Sequence, residues 1–266
     1  MLKTVASPSI NPTFNTLTVT NDATINGLTI GKGAGSVATN TVVGNGAGNA
    51  NTTGSLNTYY GYQTGFKTTT GSPITFIGAQ TGYNNTTGGD LVGVGYRSLY
   101  NNTTGFTSTG VGNYSLFNNT TGNYSVAYGY YALFSNTSGN NNTAFGTQAG
   151  YGNASANANT TGVNNTYIGY QTVGSANNNS NEMVIGYTAV GLGSNTTVIG
   201  NSSTVRTKVF GTVETTGYTV ATLPTGVVGM RAYVTNALAP SYGATVVGGG
   251  AVTIPVFYNG TAWIVA

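Results

Sequence analysis

Residues able to do acid–base chemistry are few in this chain of 266. They are the carboxylates Asp22, Asp90, Glu182 and Glu214, each in a different segment, and there is no histidine and no cysteine. Without those two types the common nucleophilic triads are missing, as are the ordinary zinc and copper sites. A paired-carboxylate glycosidase would need two of the four acids within about 10 Å of each other. The pieces Gly31-Lys-Gly-Ala-Gly35 and Gly44-Asn-Gly-Ala-Gly48 lack the Gly-Lys-Ser/Thr signature and the strand–helix context of a phosphate loop. Tyrosine is the type that recurs at a useful spacing. Tyr62, Tyr96, Tyr130, Tyr170 and Tyr187 each follow a glycine, with Ala79, Asn113 and Thr147 between them in the same column. Their rings can stack on apolar faces of sugars or pack between subunits, and subunit packing is the favoured use.

The elements that position these residues follow from a repeat. Gly44, Gly61, Gly78, Gly95, Gly112, Gly129, Gly146, Gly169, Gly186 and Gly200 mark six steps of 17 residues, then steps of 23, 17 and 14. A fixed short period means one unit stacked on copies of itself. The residue before each marker is apolar or aromatic, from Val43 and Tyr60 to Ile185 and Ile199, and Thr, Val or Met often stands two further back. This alternation signals a short strand with one face buried. The third residue after each marker is always small, as at Ala47, Thr64, Ser98 and Ala132, and a large ring often follows two later, as at Phe66, Tyr83, Tyr100, Phe117, Phe134 and Tyr151.

A second glycine column (Gly54, Gly71, Gly88, Gly105, Gly122, Gly139, Gly162) lies seven residues before the next marker, so the long step holds a six-residue insertion, placed at Asn153 to Ala158. Both glycine columns fit corners needing positive φ, and the Asn-Thr-Thr-Gly segments supply local turn hydrogen bonds. Each unit therefore reads as two strands and two corners of a parallel β-solenoid of about ten rungs. In such a stack Asp90 and Glu182 lie some five rungs apart, about 25 Å at ~4.8 Å per rung, too far for one catalytic pair within a chain. No enzymatic activity and no cofactor are expected.

Only 4% of residues are charged, and the net charge is +3 with the basic residues scattered, so there is no nucleic-acid footprint. A surface solubilised by Asn, Thr, Ser and Gly suits an extracellular or viral fibre. The opening residues lack the apolar core of a secretion signal, and no run approaches the ~20 apolar residues of a membrane span. A virion component is therefore expected ahead of a bacterial adhesin, with no membrane insertion.

Four regions are expected. Residues 1–36 hold short alternating pieces, Leu17-Thr-Val19, Ala23-Thr-Ile25 and Leu28-Thr-Ile30, with tight turns. Residues 37–204 form the solenoid and 205–222 a connector. Residues 223–266 form a small β unit ending in a hairpin, in which Asn259-Gly260 favours a two-residue type I′ turn. Alternation there puts Trp263 on a buried face. Tyr242, in the loop Ala239–Gly243, and the turn Asn259-Gly260 are the receptor-contact candidates.

The repeat forms Asn142-Thr-Ala-Phe-Gly146 and Asn165-Thr-Tyr-Ile-Gly-Tyr170, joined by Asn-Thr-Thr-Gly segments, resemble the repeats of phage tail-fibre proteins, which are similar to head repeats of trimeric autotransporter adhesins. The resemblance covers about residues 37–204. It implies an all-β homotrimeric fibre that attaches to the phage tail through residues 1–36 and meets a host glycan or protein. A capsid-attached fibre, a bacterial surface adhesin and, last, a polysaccharide depolymerase tailspike are the alternatives. A homotrimer is also expected because one thin coil with so few charges leaves apolar surface uncovered.

Overall fold

The structure, a computed structural model, describes residues 22–152, 159–204, 206–207, 217, 219–223, 225–226, 230–238 and 242–266. The chain divides into two compact units, residues 1–207 and 208–266. The expected strand at 17–19, the insertion at 153–158 and most of the 205–222 connector lie outside the described residues.

The first unit is one twelve-stranded sheet whose order in space follows the sequence. It opens with an antiparallel hairpin, β1 (Ala23–Ile25) and β2 (Leu28–Gly31), turning at Asn26 and Gly27 with φ of 49° and 81°. Asp22 holds the hairpin's exit, its carboxylate accepting from the Lys32 and Gly33 amides at 2.7 and 3.0 Å. β2 pairs antiparallel with β3 (Thr41–Val43), which starts the repeat. From there every pairing is parallel through β4 (Asn57–Tyr60), β5 (Ile74–Ile77), β6 (Leu91–Val94), β7 (Thr109–Val111), β8 (Val126–Tyr128), β9 (Thr143–Phe145), β10 (Thr166–Ile168), β11 (Met183–Ile185) and β12 (Thr197–Ile199). The solenoid of stacked strands is as the period predicts.

Three features differ from the sequence expectation. Each coil has one strand, and its opposite wall is a turn with positive φ at alternate residues: Gln63 and Gly65 at 51° and 57°, Arg97 and Leu99 at 54° and 53°. That wall still bonds along the stack, the Leu99 amide donating to the Ser115 carbonyl at 2.9 Å and Asn101 to Phe117 at 3.0 Å. Extended strands are not needed to satisfy the backbone there.

The second difference is in the glycines. Markers Gly44 to Gly186 have φ between 125° and 141°, as a corner requires. The column Gly54 to Gly162 has no positive φ. It is glycine because neighbouring coils touch there: a Cβ on Gly105 would lie 2.5 Å from both the Gly122 carbonyl and Asn102 Oδ1.

Third, the strand face carrying the marker-preceding column points outward. Tyr60, Tyr128, Phe145 and Ile199 are more than half exposed, whereas the middle strand residues Val42, Tyr59, Phe76, Ala127, Ala144, Tyr167 and Val184 are buried. They meet the small column (Ala47, Thr64, Ser98, Ala132) and Leu99, Leu116 and Leu133 from the opposite wall.

A column of buried amides closes the core at the far corner. Asn102 Nδ2 donates to Asn85 Oδ1 at 2.7 Å, Asn119 Nδ2 to Asn102 Oδ1 at 2.8 Å and Asn136 Nδ2 to Asn119 Oδ1 at 2.9 Å. Each also donates to the glycine carbonyl three residues on, for example Asn119 to Gly122 at 2.9 Å. The local turn bond expected of Asn-Thr-Thr-Gly is present, and the same amide spans two coils.

The second unit is an antiparallel sheet of β13 (Arg231–Ala237), β14 (Val252–Tyr258) and β15 (Trp263–Val265). Its core gathers Ala232, Val234, Ala237, Val246, Ile254, Val256, Trp263 and Val265. Trp263 is buried, as alternation predicts, and meets Tyr258 edge-on at 5.7 Å. The hairpin loop is longer than the expected two-residue turn. Tyr258 pairs with Trp263, so four residues make the connection, and only Gly260 among them has positive φ (105°). Asn259 Oδ1 accepts from the Thr261 and Ala262 amides, both at 2.9 Å, so a side-chain turn replaces the type I′ geometry.

Candidate functional site

Three places are candidates: a cavity lined by exposed aromatic and polar groups, a column of exposed tyrosines and an uncovered apolar face. The first lies in the second unit. Alternation along β13 sends Arg231 and Tyr233 to the face opposite Ala232 and Val234, and Arg231 stands across from Phe257 of β14. With Tyr242 these side chains line a cavity of about 440 Å³. Tyr242 is 86% exposed and Tyr233 45%. A guanidinium beside three rings can hold a planar or anionic group, or stack a sugar. Asn259 and Gly260 are not among the walls, and the Asn259 carboxamide oxygen is spent on its own turn. Arg231 and Tyr233 escaped the sequence reading, although their i, i+2 spacing on a strand was the available signal.

The tyrosine column after the markers is exposed at Tyr62, Tyr96, Tyr130, Tyr170 and Tyr187. Only Tyr170 and Tyr187 stack, at 5.4 Å, while Tyr96 and Tyr130 meet Tyr114 and Tyr131 edge-on. The continuous ring ladder belongs to another column. Phe66, Tyr83, Tyr100, Phe117 and Phe134 stack at 5.1 to 5.2 Å with their planes within 10°. These rings cover each other's faces, which leaves edges for solvent. Lys67 Nζ lies 5.5 Å from the Tyr83 ring, and the Arg97 guanidinium 5.0 and 5.1 Å from Tyr96 and Tyr100.

The acids are placed as follows. Asp22 caps the entry hairpin, Asp90 is exposed at a corner, and Glu214 lies outside the described residues. Glu182 is buried where the 17-residue coil gives way to the shorter one. Its Oε1 accepts from the Gly193 amide at 2.9 Å, and its Oε2 faces Asn179 Nδ2 at 3.5 Å. Burial, and after it the neighbouring Glu182 carboxylate, hold the Tyr167 hydroxyl well above its ordinary range. Among the described residues no three His, Cys, Asp or Glu side chains group as metal ligands would. No helix among them is long and apolar enough to cross a membrane.

The third place is the outward strand face. Tyr60, Ile77, Val92, Val126, Tyr128, Phe145, Ile168, Met183 and Ile199 are each at least 38% exposed on one sheet. Comparison of the chain with protein-family models, curated proteins and solved structures found no match.

Proposed function

We propose that the protein is a non-enzymatic fibre of a virion, most simply a phage tail fibre, assembled as a homotrimer. It attaches through residues 1–36 and presents residues 223–266 to a host glycan or protein. The observation that carries this reading is the outward strand face, a nearly charge-free apolar strip that follows the parallel strands. Ten strands at ~4.8 Å give a strip on the order of 45 Å long and roughly 600 Å² per chain. Monomers rarely leave that much contiguous apolar surface in water, and one partner of a stable interface contributes about 800 Å². Stacking such faces from three copies covers them and builds a stiff, salt-insensitive shaft, because 4% charged residues leave little for ions to screen.

The cavity at Arg231, Tyr233, Tyr242 and Phe257 supports a recognition role for the second unit, since Arg and Tyr are enriched where binding energy concentrates. A labelled antibody against the chain should mark the tail in electron micrographs of virions. Labelling of the capsid would transfer the same fibre to the head, and labelling of bacterial surfaces alone would replace the reading with an adhesin. Removing residues 223–266 while keeping the trimer should abolish adsorption. Unchanged adsorption would move recognition to the shaft or to another protein.

A further inference from the structure

A shallow groove of about 540 Å³ follows the far corner of the solenoid between two columns of side chains, Asn84, Asn101 and Asn118 on one wall and Thr86, Thr103, Thr120 and Thr137 on the other, with Lys67 at one end. The columns flank the buried amide column residue by residue, Asn101 and Thr103 standing either side of Asn102. No residue of the outward strand face takes part, so assembly through that face leaves the groove open.

Its hydrogen-bonding state is specific. Asn84 Nδ2 donates to Asn101 Oδ1 at 3.0 Å, and Asn101 Nδ2 to Asn118 Oδ1 at 3.2 Å. A carboxamide offers two N–H donors and two acceptor lone pairs. Asn101 therefore keeps one N–H and one lone pair after its ladder bonds. On the other wall the hydroxyls of Thr86, Thr103, Thr120 and Thr137 all donate to the carbonyl of the next coil, at 2.9 to 3.0 Å. That fixes the rotamers and leaves each threonine one acceptor and one methyl group for a ligand. Donor, acceptor and methyl thus recur once per coil along the groove.

From this we infer that the groove binds a linear, neutral polysaccharide lying parallel to the strand stack. The advance per coil, ~4.8 Å, is close to that of one hexose in an extended β-1,4-linked chain; successive rings of such a chain are flipped, so its same-side groups recur every second hexose and meet every second coil. Hydroxyl groups both donate and accept, matching the half-used amides, and the C–H faces of pyranose rings match the methyl column. An extended peptide does not fit, because its same-side groups recur only every ~6.6 Å. A polyanion finds one cation, Lys67, already held over the Tyr83 ring. The inference deepens the proposed fibre function by giving the shaft a glycan contact separate from the second unit.

The test is calorimetric titration of the full chain with β-1,4-linked gluco- and manno-oligosaccharides of increasing length. A sulfated oligosaccharide and an extended threonine-rich peptide serve as the other arms. Affinity for the neutral series should rise up to about four units, the span of the groove, and then level off. The Thr103→Lys/Thr120→Lys chain, which fills the groove with two long cations, should bind about tenfold more weakly or worse, with unchanged circular dichroism. Tyr242→Ala removes the exposed ring of the second unit's cavity and so separates binding there from binding in the groove. If the double variant fails to fold, Thr86→Lys at the rim makes the same comparison. Absence of neutral-glycan binding, tighter binding of the sulfated chain or the peptide, or loss of binding in Tyr242→Ala in place of the groove variants would each overturn the inference. The virion labelling above is independent of all these outcomes, so failure here leaves the fibre reading standing.

Discussion

Phe76 and Gly82 share one layer of the solenoid core: a Cβ on Gly82 would fall inside the Phe76 ring. The same exclusion recurs at Tyr59, whose ring lies 2.5 Å from where a Gly65 Cβ would be. Farther along, the bulk changes walls. Where the strand contributes Gly110 or Ala127, the opposite wall supplies Leu116 or Leu133, both fully buried. From Tyr59 to Leu133 each coil thus carries one large side chain at these two positions, from either wall, whereas the next pairs Ala144 with Gly150, against which Leu133 and Tyr167 of the adjoining coils pack.

This trade gives a double-mutant prediction. Gly82→Leu alone should overpack the layer and destabilise the chain by about 1–3 kcal/mol, and Phe76→Ala alone should cost about 3–5 kcal/mol through its cavity. Together they recreate the Ala127–Leu133 arrangement, and the backbone tolerates it because Leu133 already sits at φ 48° in the column where Gly82 has 58°. Denaturant melts should show the pair much less destabilised than the sum. Additive losses would refute the volume trade.

Asn102→Leu removes three bonds of the amide column, to Asn85, Gly105 and Asn119. Each buried partner left without its bond costs about 1–3 kcal/mol, so the apparent melting temperature should fall by many degrees. Thr104→Ala, on the exposed residue of the same segment, should change it little. Equal effects would mean that the column contributes no more than surface turns do.

Stability should decline in alkali before ordinary tyrosines have finished titrating. Burial pushes the Tyr59 hydroxyl from 10.0 up to about 12. The folded chain therefore holds that proton more tightly than the unfolded one. Its contribution is fully present below pH ~10 and is lost as pH rises towards 12, on the order of 3 kcal/mol in all. Ultraviolet titration of the phenolate should show a late fraction lagging the exposed tyrosines, and Tyr59→Phe should remove part of the lag. A single transition near pH 10 with the fold intact would contradict the burial.

Association should depend on the outward strand face. Light scattering of the parent chain should give close to three times 26.9 kDa. Tyr128→Lys with Phe145→Lys places two charges on stacked, exposed rings 5.0 Å apart and should yield a monomer with its solenoid circular dichroism retained. A trimeric double variant would place the interface elsewhere.

Much of this fold is legible in the sequence. The markers fixed the coil register, the small column three residues later is buried in the coils from Ala47 to Ala189, and the parallel stack follows from both. The inward strand face was not legible. Strands of three or four residues present apolar types on both sides, as Tyr59 and Tyr60 do, and alternation alone cannot rank them. The opposite wall was misread as extended because Leu99, Leu116 and Gln63 are not residues one expects at positive φ. The second glycine column looked like the first, since a close contact between coils and a corner select the same residue. In the second unit, Tyr242 was found from its loop, whereas its companions Arg231 and Tyr233 needed the sheet register to bring them to it.

The threonine hydroxyls and the amide column reach from one coil to the residue 17 positions away. Recombination that duplicates or drops one whole repeat would therefore meet ready-made partners on both sides, and the 23-residue step, which still pairs Thr137 with Thr160, shows the ladder surviving an insertion within a coil as well. The gene can thus lengthen or shorten its product in increments of ~4.8 Å without inventing a new contact. Reach becomes a heritable quantity that evolves in whole steps, independently of what either terminus does.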